Sequence, residues 1–141
     1  MSIIIKNNSK VYDTIEDAIN AVPWGQQDTI VITGENIAGT ANGSGGKLIV
    51  WEVSDSKVDQ QVSFNNGGAF YINAQGNTFS NTMISGNTAT AAGGAFYVNS
   101  GSLLLDGCTV ANNLGSSNGG ALRIQAGIFC SNILWLSDCY N

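Results

Sequence analysis

Three stretches of the chain share one pattern of apolar and polar positions. Phe70-Tyr71-Ile72, Phe96-Tyr97-Val98 and Leu122-Arg123-Ile124 each set two apolar residues around a more polar one, and each follows a glycine pair and an alanine. Alternation with period 2 marks a strand with one buried face and one wet face. The units begin at Gly67, Gly93 and Gly119, evenly spaced along the chain, and 67–92, 93–118 and 119–141 align without a gap. Further along the unit, Thr82, Cys108 and Leu134 share a column, as do Ile84, Val110 and Leu136, with Met83, Thr109 and Trp135 between them and directed outward. A middle segment aligns Asn77 with Leu103 and Phe129, and Phe79 with Leu105 and Ser131.

Each unit therefore holds up to three short strands separated by Gly, Ser and Asn turns. β-Branched and aromatic residues dominate and no apolar spacing of 3.6 runs through the units, which excludes helical repeats. Three strands per unit, each equivalent to its counterpart one unit away, predict an all-β fold, a right-handed parallel β-helix (β-solenoid) of about 26 residues per coil. In that fold Phe70, Phe96 and Leu122, then Ile72, Val98 and Ile124, then Ile84, Val110 and Leu136 are stacked core ladders. The paired glycines Gly67–Gly68, Gly93–Gly94 and Gly119–Gly120 turn corners where a Cβ would clash or φ must be positive. Asn87 and Asn113 hold equivalent turn positions, from which a side-chain amide reaches the backbone of adjacent coils. The third unit replaces this asparagine with Cys139 and shows no cap, so its end is expected to be open, a template for further strand pairing or end-to-end self-association.

Ahead of the repeats, residues 3–5 and "DTIVIT" read as strands, and "TIEDAINAV" as a short helix capped by Asp13 or Thr14 and ended by Pro23. Its face of Ile15, Ala18, Ile19 and Val22 suits it to cover the end of the solenoid. The whole chain, 1–141, is read as a single domain: 1–44 the cap and first strands, 45–66 a divergent coil opening on the glycine pair at Gly45, then the three repeat coils, either complete or a piece of a longer β-helix.

Composition narrows the function. The net charge is -5, and from Gly67 onward the only formal charges are Asp106, Arg123 and Asp138. Nucleic acid, whose phosphates demand clustered Lys and Arg, is excluded as a partner, and no apolar run is long enough for this segment to insert into a membrane. The opening "MSIIIKNNSK" lacks the basic and apolar regions of a secretion signal, which leaves the cytoplasm, or the outside of the cell if the chain is a fragment of a longer secreted protein. Cys108, Cys130 and Cys139 form no CxxC pair and are read as small buried or half-buried side chains rather than a redox or metal site.

Taken together, "GGAF", "GGAF" and "GGAL" followed by "ISGN" and "VANN" resemble the GGA(I/L/V) and FxxN repeats of polymorphic outer-membrane proteins, which are bacterial autotransporter adhesins. "YDTIEDAINAV" and "QDTIVITG" resemble the capping helix and first strand of pectin-lyase-like β-helix proteins. The resemblance implies a non-enzymatic, surface-displayed adhesin or structural passenger whose partner is a host-cell or matrix protein or a glycan. The sequence departs from that pattern in lacking a signal peptide and a translocator barrel, and in having Ile and Val where the second motif prefers Phe.

An enzyme on such a scaffold needs chemistry that the repeats supply poorly. Glycoside hydrolysis needs two facing carboxylates, and Asp106 and Asp138 fall in different columns. A lyase needs a Ca²⁺ cage beside a base, for which Arg123 is the one candidate in the repeats. Without histidine, Ser80 and Cys108 lack their usual general base. Glu52, Asp55 and Asp59 are a weaker candidate cation site, and no cofactor motif is present, since the glycine-rich stretch 39–47 lacks the ending of a phosphate loop. "TAT" at 88–90 occurs in one coil only and makes no ice-binding array. The candidate binding face is the outward column Tyr71, Tyr97 and Arg123, which is suited to stack on a sugar ring or anchor a protein, or else to stiffen the sheet as a cross-strand ladder. Two alternatives stay open: a carbohydrate-binding or polysaccharide-degrading protein, and a small self-assembling solenoid.

Overall fold

Short strands joined by tight turns make up nearly all of the computed structural model, which describes residues 2–38, 47–63, 66–117, 119–133 and 136–140. The chain opens with β1 (Ser2–Ile5), β2 (Lys10–Val11), helix α1 (Ile15–Ala21), β3 (Asp28–Thr33) and β4 (Asn36–Ala38). Then come groups of three: β5 (Ile49–Ser54), β6 (Lys57–Asp59) and β7 (Val62–Ser63); β8 (Phe70–Ser80), β9 (Met83–Ser85) and β10 (Thr88–Ala89); β11 (Phe96–Asp106), β12 (Thr109–Ala111) and β13 (Leu114–Gly115). The last strands are β14 (Leu122–Ile124), β15 (Ile128–Ile133) and β16 (Leu136–Tyr140).

Each group visits three sheets in turn. The large sheet runs β16-β15-β11-β8-β5-β3-β1-β2 with β14 also on β11, the second runs β12-β9-β6-β4, and the third runs β13-β10-β7. From β3 through β15 the pairing within these sheets is parallel. From β5 on, one register recurs wherever the pairing is regular: Phe70 opposite Phe96, Ile84 opposite Val110, Thr88 opposite Leu114. Like residues therefore stack on like. Phe70 and Phe96 are parallel at 5.7 Å between ring centroids, with Trp51 and Phe79 meeting them edge-on at 4.8–5.0 Å. These four aromatics, with Ile72, Ile84, Val98 and Leu103, are fully buried and form the centre of the core.

Helix α1 begins where Thr14 Oγ1 accepts from the Asp17 amide at 3.1 Å, satisfying one of the unpaired donors of the first turn. Ile15, Ala18 and Ile19 enter the core. Its last turn holds no basic residue, but Lys47, itself buried, donates from Nζ to the Ile19 carbonyl at 2.9 Å and places a cation at the negative end of the helix. No described helix is long and apolar enough to cross a membrane.

Over its described part the stretch 45–66 keeps the register of the later units, with Glu52 opposite Thr78 and Val58 opposite Ile84; Gly45 lies outside the described residues. Lys57 and Asp59, which look like interruptions of the pattern, occupy regular strand positions opposite Met83 and Ser85. One expectation needs correction: among the described residues the last unit does not continue into the second sheet. After Ile133 the chain reverses, and β16 pairs antiparallel with β15, which places residue 136 opposite Ile133 rather than on Val110. Leu136 is thus not a rung of the Ile84–Val110 ladder, and the reversal gives the outer edge of β15 a hydrogen-bonded neighbour. Leu134, Trp135 and the stretch 39–46 lie outside the described residues, so the column positions and the loop expected there have no structural counterpart to report.

Candidate functional site

The glycine corners bring successive passes of the chain together. Gly67, Gly93 and Gly119 have φ of 75°, 71° and 70°, a conformation costly for any residue with a Cβ. The second glycine of each pair serves a different need. A Cβ on Gly68 would run into the carbonyl oxygen of Gly94, and one on Gly94 into that of Gly120, because the following pass crosses directly against them. Here the sequence pattern has two physical causes in two adjacent residues.

At another corner an amide ladder fills the space. Asn87 is wholly buried; its Oδ1 accepts from the Gln61 amide at 3.1 Å, and its Nδ2 donates to the Val58 carbonyl at 3.2 Å and to Asn113 Oδ1 at 2.8 Å. Asn113 repeats the arrangement, accepting from the Asn87 amide at 3.0 Å and donating to the Ile84 carbonyl at 3.0 Å. Gln61 stands 26 residues before Asn87 and occupies the same column, a member that the sequence pattern alone does not single out. Its offset from Asn87, equal to that of Asn87 from Asn113, is the signal that could have found it.

These corners fix the outward face of the large sheet, where the candidate residues meet. Tyr71 and Tyr97 are stacked, with centroids 5.3 Å apart and planes 18° from parallel, and Arg123 follows opposite Tyr97. All three are half-buried. Beside them Asn99 Nδ2 and Ser100 Oγ both donate to Asn73 Oδ1, at 3.0 and 2.9 Å, where an irregularity in the β8–β11 register admits one extra residue. Arg123 Nη2 donates to Gln125 Oε1 at 3.3 Å. The result is a column of two phenols and a guanidinium alongside a column of amides. Burial, and then the neighbouring Tyr97, push the Tyr71 hydroxyl above its ordinary pKa, so it remains a protonated donor. The ring faces that the tyrosines turn toward each other are closed to a sugar. A partner meets hydroxyls, ring edges, amides and one cation instead.

Among the catalytic candidates, Asp106 is exposed at the far end of β11, opposite Asn132, while Arg123 pairs with Tyr97 at the near end of that strand. Asp138 lies on β16 opposite Ser131. Cys108 is a buried free thiol that donates to the Phe79 carbonyl at 3.2 Å, and desolvation pushes its pKa up, which suits packing and not nucleophilic attack. Glu52, Asp55 and Asp59 have separate partners: Lys6 at 3.4 Å, the Asn81 amide at 2.7 Å and Lys57 at 3.5 Å. Among the described residues no group of three potential metal ligands occurs. Cys130 departs from the reading of the cysteines as plain packing residues: it is disulfide-bonded, and the antiparallel reversal sets its backbone opposite Cys139.

A further feature lies outside the sequence expectations. A shallow groove of about 470 Å³ follows the corner between the first two sheets, lined by Glu35, Asp55, Lys57, Asn81 and Met83 among others. The corner is made by Asp55, Asn81 and Gly107, with φ of 51°, 45° and 65°. Asp, Asn and Gly are the residues that best tolerate this conformation, and their recurrence at the repeat spacing is the signal in the sequence.

Searches with this chain match no family model, no curated protein and no solved structure.

Proposed function

We propose that the three sheets are the walls of a right-handed parallel β-helix, and that the chain is a non-enzymatic adhesin or structural passenger. Its task is to present a rigid face to a protein or glycan at the cell surface or outside the cell. The observation that carries this reading is the continuous outward column Tyr71–Tyr97–Arg123 beside Asn73 and Asn99, held by a sheet whose inward residues are fully buried at Phe70, Ile72, Phe96 and Val98. Tyrosine and arginine with adjacent amides supply large contact area and directed hydrogen bonds with little conformational freedom to lose. The resemblance of the GGA and xxxN motifs to polymorphic outer-membrane proteins supports the same reading. The disulfide at Cys130 supports an oxidising location.

The test is binding of the chain to immobilised matrix proteins and a glycan array, with Tyr71→Ala/Tyr97→Ala/Arg123→Ala as the comparison. The expected result is saturable binding that the triple variant loses while it still unfolds cooperatively. Equal binding by the triple variant would move the function to another face. Release of unsaturated or reducing sugars from a polyuronide would establish the carbohydrate-active alternative.

A further inference from the structure

We infer that the end of the molecule formed by β12, β13 and β14 is a docking platform for one more parallel pass of chain with the same glycine-pair pattern. Three observations converge there. The first is Gly120. Its counterparts Gly68 and Gly94 must be glycine because the carbonyl of the following pass occupies the place of a Cβ, yet at Gly120 the nearest described atom to such a Cβ is the Asn113 carbonyl oxygen, 3.7 Å away. The clearance is kept where the described fold does not use it.

The second is the hydrogen-bond direction. Gly68 donates to Gly93 O at 2.9 Å, Gly94 to Gly120 O at 2.9 Å, and Ala95 to Ala121 O at 2.8 Å, so at the glycine corner each pass donates to the next. Among the described residues the Gly120 and Ala121 amides have no acceptor, and β12, β13 and β14 each have one strand neighbour. The third is apolar exposure. Phe96, Val98 and Ile84 are fully buried, whereas their successors Leu122, Ile124 and Val110 are half-buried, and Leu114 at the edge of the third sheet is 60% exposed.

These features define the occupant. It is an extended segment running parallel to β14, with a glycine at the corner whose carbonyl seats on Gly120, carbonyls for the Gly120 and Ala121 amides, and apolar residues at the inward positions. The contact continues the Gly68–Gly94 and Gly94–Gly120 packing by one step. The intact opposite end of a second copy fits less well, because α1 and the β1–β2 pair stand over it. The proposal is independent of which outward face binds a partner.

The test uses the full chain and a fluorescein-labelled synthetic peptide with the sequence of residues 83–98, whose order of second-sheet strand, third-sheet strand, glycine pair and Phe96–Val98 matches β12, β13 and β14, followed by fluorescence anisotropy with a scrambled peptide as control. The wild-type chain is expected to bind the peptide saturably. Gly120→Ala, whose own unfolding midpoint stays at the wild-type value, is expected to bind at least about tenfold more weakly, while Val11→Ala, exposed on β2 at the opposite end, binds normally. Absence of binding by the wild-type chain, or equal binding by Gly120→Ala, overturns the proposal. So does a dimer in sedimentation velocity that excludes the peptide and is indifferent to Gly120→Ala, since that outcome makes a second copy the occupant.

Discussion

At Gly94 two passes of backbone touch because the residue has no side chain; at Asn87 the passes are joined by a side chain that makes hydrogen bonds to both neighbours. Both corners face the same constraint, since a chain that turns while buried must satisfy or exclude its polar groups. The glycine corner does so by close approach, which lets main-chain amides reach main-chain carbonyls one pass away. The asparagine corner does so by substituting an amide side chain for the missing backbone partners. The difference teaches where the fold is brittle: a glycine corner fails on gaining an atom, and an asparagine corner fails on losing one.

The sharpest break in that comparison is expected from Gly93→Ala. It combines a positive φ with a Cβ directed into the Phe96 carbonyl of its own turn, and is expected to cost about 3 kcal/mol or more, read as loss of the cooperative transition in urea. Asn87→Ala comes next. It strands the buried Gln61 amide and Val58 carbonyl together, for an expected loss of about 2–3 kcal/mol by the same measurement. Tyr71→Ala and Tyr97→Ala touch neither corner and remove a half-exposed stacked pair, so each is expected to cost about 1 kcal/mol or less.

The smallest effect is a pH dependence. The folded-state pKa of Cys108 is raised by desolvation, so the folded chain keeps a proton that the unfolded chain loses, and the stability this thiol contributes is present below the unfolded thiol pKa, about 8.5, and declines as pH rises above it. Cys108→Ala is expected to flatten the alkaline fall in the unfolding midpoint. In the folded wild type the thiol is expected to react with a maleimide only as fast as the chain opens.

Much of this was legible in the sequence because strict spacing carries tertiary information. A constant offset that returns Phe to Phe and Tyr to Tyr names strand partners directly, and Asn87 and Asn113 could be placed at one corner from the sequence alone. The first pass was harder to read. Its offset to the next unit is carried by inconspicuous residues such as Val58 and Gln61 and not by a recurring motif. The antiparallel reversal after Ile133 was illegible for a physical reason: strand-forming residues suit parallel and antiparallel neighbours alike, and Leu136 falls in the Ile84–Val110 column by spacing. The site was half legible. The column Tyr71–Tyr97–Arg123 could be named from spacing, but the Asn73–Asn99 amides beside it depend on an irregularity in register that no periodic pattern reveals.

The central claim is that the second glycine of each pair answers to the following pass and not to its own turn. Thermal unfolding of Gly94→Ala and Gly120→Ala, measured side by side, tests it most directly. With the Gly120 carbonyl in the way at residue 94 and nothing described within 3.7 Å at residue 120, Gly94→Ala is expected to lose its cooperative transition and Gly120→Ala to melt with the wild type. Equal destabilisation of the two variants would mean that the glycine pair is a local turn requirement, and would contradict the account.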